Sequence, residues 1–380
     1  MAAVVRRAGT ARRRNRVSLV NGFEPVAALL ARGVTEHAFP GACAEVGRRT
    51  GALWRHATGA KTYDPYDDHI AEDTIFDLAS ITKPIATATL AMRAVDDAVL
   101  ALDEPVSGRL REWRGRDREA VTVRDLLSHC SGLPAYLPFF RDHTGRVEFE
   151  PAICRIPLEY EPRSRSIYSD LGFMLLGFIL EDARTPAGAS GRLEPAASLA
   201  AQFRRVASFV STDPLTFNPP RTWRLRTAPT EFDAWRGRTL VGEVHDENAW
   251  ALGGAAGHAG LFGTAAAVGA FARAVLRTLA GDRILADPGT LREFAARRID
   301  IPGSSRALGW DTMLPTSSCG TRLSSTAIGH TGFTGTSLWI DAERDLYAVL
   351  LTNRVHPTRE NTRIGAIRRA FHDAVVDSVS

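Results

Sequence analysis

Residues 76–90 read FDLASITKPIATATL and place Ser80 and Lys83 three apart in a run that is otherwise almost wholly apolar. An ammonium group among apolar neighbours loses hydration unless something pairs with it, so the lysine needs a reason to be there. Free serine holds its proton tightly. An amine whose pKa is lowered by burial and by a positive helix end can take that proton and make the hydroxyl a nucleophile. The same helix end offers a backbone N–H to a developing oxyanion. Pro84 is tolerated only in a first turn, so a helix is expected to start close to Ser80, with Lys83 on the same face one turn later. Alone, Ser-x-x-Lys is a weak signal. Ser80 also reads as a helix cap, and Lys83 as a surface lysine snorkelling to water.

Two further stretches share its order along the chain. Tyr168, Ser169 and Asp170 open an apolar helix after a loop rich in Pro and Arg, and His330, Thr331 and Gly332 lead into a strand near the end. Read together, Ser80/Lys83, Tyr168/Asp170 and His330/Thr331/Gly332 resemble the three ordered motifs of the serine β-lactamase and penicillin-binding-protein superfamily. The closer likeness is to its branch of ampC-type β-lactamases, D-alanyl-D-alanine carboxypeptidases and related esterases. The stretches LLSHCSGLP, GHAGLFGTA and GHTGFTGTSLWID are similar to that branch too, and the resemblance spans roughly residues 35–370.

The resemblance implies an α+β, β-lactamase-like fold: an antiparallel sheet flanked by helices, an inserted mostly helical lobe, and the active site in the cleft between them. It implies a serine hydrolase that works through an acyl-enzyme on esters or amides, of esterase, D-amino-acid peptidase or carboxypeptidase type. Ser80 would attack the acyl carbonyl, and Lys83 would take its proton. Tyr168 would relay a proton to the leaving group and activate the deacylating water. Asp170, His330, Thr331, Gly332 and Phe333 would line the substrate site, with the N–H groups of Ser80 and Phe333 forming the oxyanion hole. His330 would bind a substrate carboxylate or tune the tyrosine. This chemistry needs no cofactor and no metal.

Two departures bear on the substrate. Asp170 stands where an amide is the superfamily norm, and an ionised carboxylate accepts hydrogen bonds but cannot donate one to a substrate carbonyl. It would also hold Lys83 charged, which argues against efficient β-lactam hydrolysis. His330 replaces a common lysine, so its charge near neutral pH is not fixed. The alternatives are therefore a β-lactamase, or a catalytically silent scaffold that holds peptide or cell-wall fragments. HDEN at 245–248 looks like a metal cluster, but four consecutive residues do not point one way on any regular element.

The elements that must position these groups are strands at both ends of the chain and helices in the middle. Residues 18–38 carry Val20, Phe23, Val26, Ala27, Leu30 and Val34 at helical spacing, and 40–58 read as two strands about a turn at Arg49 to Gly51. Thr264 is a plausible N-cap, and strand–strand–turn–strand followed by a helix from about Glu360 to Val376 closes the chain. The expected division is a basic, disordered tail at 1–17, a sheet domain from 18–115 and 251–380, and an inserted helical domain at 116–250. The 380 residues carry a net charge of +4, and Arg6, Arg7, Arg12, Arg13, Arg14 and Arg16 in the tail supply much of that excess. A solvated tail accounts for it better than a nucleic-acid footprint does, so no nucleic-acid partner is expected. No run of about eighteen apolar residues is present, so no membrane span is expected. No signal-peptide core follows the basic start, which suggests a cytoplasmic protein acting on a small ester, amide or peptide. Cys43, Cys130, Cys154 and Cys319 fit no zinc or redox spacing and read as reduced, buried thiols.

Overall fold

The structure is a computed structural model that describes residues 22–185 and 195–379; the arginine-rich tail lies outside the described residues. Its frame is a six-stranded sheet in the order β2-β1-β11-β10-β9-β8. The strands are β1 (Gly41–Arg48), β2 (Gly51–Gly59), β8 (Asp311–Thr312), β9 (Ile328–Thr331), β10 (Ser337–Asp341) and β11 (Leu346–Thr352). Every neighbouring pair runs antiparallel. Chain ends thus meet in one sheet: β1 lies beside β11, with Ala44 opposite Leu350.

β11, LYAVLLT, is buried along its whole length, as an unbroken apolar run covered on both faces should be. Tyr347, Val349 and Leu351 join the larger core, while Leu346, Ala348 and Leu350 join the other. This period-2 split is the pleat at work. One face receives α8 (Ala265–Leu279), whose N-cap Thr264 accepts from the Ala267 N–H. The opposite face receives α1 (Glu24–Thr35) and α10 (Ile364–Val379), which supply Val26, Leu30, Ile367 and Phe371.

Between β2 and β8 most of the regular structure is helical. This stretch holds α2 (Thr89–Asp96), α3 (Val123–Leu127), α4 (Gly145–Arg155), α5 (Asp170–Ala183), α6 (Leu199–Val210), α7 (Glu247–Ala251) and α9 (Pro288–Ala295). α5 is apolar on almost every side and buried from Leu171 to Leu180, so it forms the axis on which the helical part packs. A small sheet, β3 (Phe76–Asp77), β7 (Leu261–Gly263) and β4 (Leu215–Phe217), ties the Ser80 segment to this region. A two-strand ribbon, β5 (Phe232–Asp233) and β6 (Arg238–Thr239), completes the strands among the described residues. All four cysteines are free and buried.

Candidate active site

The expected helix from Ser80 is not one regular helix. Residues 79–81 form a 3₁₀ turn, 83–88 a wider π-helical stretch, and only 89–96 are α-helical. Such changes of pitch inside a helix collect at functional sites, where side chains are re-aimed. Ala79, just before the serine, sits at φ +46°, a region that costs a residue with a Cβ about 1 kcal/mol or more. Two groups hold it there. The Asp77 carboxylate accepts from the Ala79 N–H at 2.8 Å, and the Ile81 N–H donates to Leu78 O.

Lys83 is fully buried, and its Nζ has three acceptors: Ser80 Oγ at 3.0 Å, Asp170 Oδ1 at 2.7 Å and His258 O at 3.0 Å. All three ammonium protons are thereby used. Burial works to lower the lysine pKa, but the charge and hydrogen bond of Asp170, aided by Tyr168, outweigh it and raise the pKa above its ordinary value. Asp170 is the first residue of α5, where Ser169 caps the Gly172 N–H. Gly257 brings the His258 carbonyl close: a Cβ there would lie 1.9 Å from Phe173 O on α5.

The Tyr168 hydroxyl is buried and interacts with Lys83 and Ser80, but among the described residues it makes no hydrogen bond of ordinary geometry. Its ring lies 4.7 Å from Lys83 Nζ and 4.7 Å from the His129 ring. Burial raises the phenol pKa, and the nearby Lys83 charge opposes that without reversing it. His129 fixes this segment from behind, accepting the Ser169 N–H on Nδ1 at 3.0 Å, and burial keeps it neutral.

His330 is buried with Nδ1 2.8 Å from Thr331 O, so that nitrogen must carry the proton. Nε2 is left as an acceptor, buried and without a partner among the described residues. Burial, with the charges of Lys83 and Arg306, depresses the imidazole pKa well below its ordinary value. A neutral ring offering only a lone pair suits a hydroxyl rather than a carboxylate. Gly332 is forced by packing, since a Cβ would lie 2.6 Å from Leu78 O of the Ser80 turn. Thr334 and Thr336 clip the two together, donating to Asp77 O at 2.8 Å and Leu78 O at 3.0 Å.

These elements enclose a cavity of about 650 Å³ lined by Ser80, Tyr168, Asp170, His330, Thr331, Gly332 and Phe333, with Lys83 directly behind Ser80. All eight residues singled out from the sequence therefore meet at one place. A larger cavity of about 870 Å³ opens between α4 and α5, but it contains none of them. The sequence reading passed over Arg306, whose guanidinium lies 5.2 Å from the Tyr168 ring centre, and Asp77. Asp77 carried the same signal that drew attention to Lys83, a charge inside an apolar run. The HDEN residues disperse: His245 pairs with Glu231 and Asp246 with His258, each at 2.8 Å.

The family model for Beta-lactamase matches residues 26–371. The chain belongs to the Beta-lactamase family. The resemblance read from the motifs is thereby borne out, and with it the serine β-lactamase and penicillin-binding-protein superfamily and its α+β fold. Among relatives, the N-acetylmuramyl-L-alanine amidase of Bacillus subtilis is 32% identical over 312 residues, 74% of this chain and 68% of its own. A candidate D-alanyl-D-alanine carboxypeptidase of Salmonella gallinarum is 29% identical over 342 residues, 81% of this chain and 77% of its own. The solved structure of EstCE1, a hydrolase with promiscuous acyltransferase activity, superposes with a TM-score of 0.70 at 21% identity, covering 93% of this chain and 98% of that one. No helix among the described residues is long and apolar enough to cross a membrane.

Proposed function

We propose that this Beta-lactamase-family chain is a serine hydrolase that acylates Ser80 with esters or amides. One observation carries the reading: a fully buried Lys83 Nζ 3.0 Å from a Ser80 Oγ that faces the cavity. In the neutral form, Lys83 takes the Ser80 proton as Oγ attacks the carbonyl carbon, and the carbonyl oxygen becomes an oxyanion beside the N–H groups of Ser80 and Phe333. The proton passes to the leaving group by way of Tyr168, whose hydroxyl interacts with both Lys83 and Ser80. Water then reverses the sequence on the acyl-enzyme. His330 Nε2 accepts from the tyrosine or from a substrate hydroxyl, and Thr331 and Gly332 shape the wall. The names of the amidase and carboxypeptidase relatives support amides and D-amino-acid peptides beside small esters as substrates.

The Lys83–Asp170 pair favours a second reading, a scaffold that binds but does not turn over, because a lysine held charged is no base. Intact-protein mass spectrometry after exposure to a fluorophosphonate or a fluorescent penicillin separates the two. The enzyme reading expects an adduct on the wild type that is absent from Ser80→Ala. No adduct with either reagent on folded protein sinks it and leaves the silent scaffold.

A further inference from the structure

Exposed aromatic side chains gather at one edge of the cavity. Tyr136, 43% exposed, lines the cavity, and Phe140 follows it by four residues. The Phe140 ring meets Trp235 edge-on at 4.7 Å, and Trp235 meets Trp250 edge-on at 5.3 Å. Trp235 is 47% exposed and Trp250 39%. Trp250 stands three residues from Glu247 on α7, hence on the same helical side as that cavity-lining residue. The row therefore continues the wall of the site outward. Exposed apolar surface that is contiguous rather than scattered marks a binding surface.

The row is built rigidly. Asn248 accepts from the Phe140 N–H and donates to Leu137 O, both at 2.9 Å, fixing the 137–140 loop to α7. Beneath the tryptophans, the buried Arg236 guanidinium lies 6.0 Å from Trp235 and 5.9 Å from Trp250. It is anchored to Asp233 and to the carbonyls of Val244 and His245, so one buried cation binds the ledge to the cavity wall. Two of the charges on the cavity side are already committed. Arg354 donates to the carbonyls of Phe333, Arg359 and Asn361, and Arg359 pairs with Glu231 and Glu247. Arg141 is an exposed cation at the ledge, 5.8 Å from the Phe140 ring, and the preformed aromatic faces beside it suit an apolar group.

We infer that Tyr136, Phe140, Trp235 and Trp250 form an extended subsite that takes an apolar chain or aryl group attached to the reacting carbonyl or phosphoryl centre. The inference deepens the serine-hydrolase reading and rests on it for the identity of the reacting centre. It means that the chain selects substrates by an apolar group reaching out of the cleft.

The test compares the rates at which alkyl fluorophosphonates with ethyl and with decyl chains label Ser80. The decyl reagent is expected to label the wild type at least about tenfold faster, and Trp235→Ala/Trp250→Ala to cut the decyl-to-ethyl ratio about tenfold, the scale of one apolar side chain's burial. The ratio cancels any difference in folded fraction. Equal losses for both reagents, or no chain-length advantage in the wild type, overturn the subsite. Binding of decanol to Ser80→Ala, followed by tryptophan fluorescence, reads the ledge without any reaction at Ser80. It should weaken about tenfold in Ser80→Ala/Trp250→Ala, and an unchanged affinity overturns the subsite. Failure of both reagents to label, with decanol binding intact, would instead remove the hydrolase reading alone.

Discussion

Two buried ion clusters of this molecule are made from similar parts and differ in one respect. In the sheet, Glu45 is fully buried on β1; Oε1 takes Tyr347 Oη at 2.6 Å and Arg273 at 2.8 Å, and Oε2 takes Arg55 at 2.5 Å. Tyr347 is also hydrogen-bonded to Arg273. Packing is complete: a Cβ on Gly269 of α8 would lie 1.8 Å from Glu45 Oε1. In the cleft, Lys83 is equally buried and equally saturated, yet beside it the Tyr168 hydroxyl and His330 Nε2 make no hydrogen bond of ordinary geometry among the described residues, and a cavity lies in front. A buried polar group without a partner costs about 1–3 kcal/mol. The sheet cluster leaves no such group, whereas in the cleft two polar atoms belong to residues that line the cavity. Saturated charge holds the fold, and unsaturated polarity beside saturated charge leaves room for a reacting molecule.

The largest expected effect lies in the cleft. Lys83→Met should slow Ser80 labelling by about 10²–10⁴-fold, the usual worth of a positioned proton acceptor, while Ser80→Ala should abolish it. Labelling that survives Lys83→Met within a fewfold would show that another group serves as the base. The sheet cluster should respond in the opposite currency. Glu45→Ala leaves Arg55 and Arg273 without their carboxylate and should lower stability by about 3 kcal/mol, read as a shifted urea midpoint, with the labelling rate per folded molecule unchanged. A cleft that lost reactivity along with this stability would erase the distinction between the two clusters.

A smaller effect is expected where both regions touch. Gly332→Ala places a methyl 2.6 Å from Leu78 O and against Thr336 Oγ1. Overpacking of this kind costs typically about 1–3 kcal/mol, and because Leu78 belongs to the nucleophile turn, labelling should fall as well. Unchanged labelling in a destabilised variant would show that the turn absorbs the push without moving Ser80.

The legible part of the site was the part written in short local runs. Ser80 and Lys83, Tyr168 and Asp170, and His330 to Phe333 each lie within a few residues, and each run carries its own spacing. The sheet was legible for the same reason: β1 and β2 surround their turn, and β9 to β11 alternate as hairpins do. What escaped depends on distant parts of the chain. The break of the Ser80 helix into 3₁₀ and π turns depends on Asp77, Leu261 and the His258 carbonyl, and helical periodicity cannot see these. The aromatic ledge gathers residues from 136 to 250, with no period to join them. Helix ends shifted for a milder reason: the helix expected over 360–376 runs from Ile364 to Val379, because 358–363 is held in turns by Glu231, Thr358 and Asn361.

The smallest predicted effect discriminates best between the two clusters. Asp170 is the main group raising the Lys83 pKa against the pull of burial, so the amine is charged in the resting site. Only its neutral form can take the Ser80 proton, so the labelling rate should climb with pH toward the raised lysine pKa. Asp170→Asn removes the negative partner and keeps the shape. With burial then less opposed, the lysine pKa falls, and the climb must move to lower pH, giving faster labelling near neutrality. A pH profile that does not move would mean that Lys83 is not the titrating base, and the cleft cluster would then be a structural pair like that of Glu45.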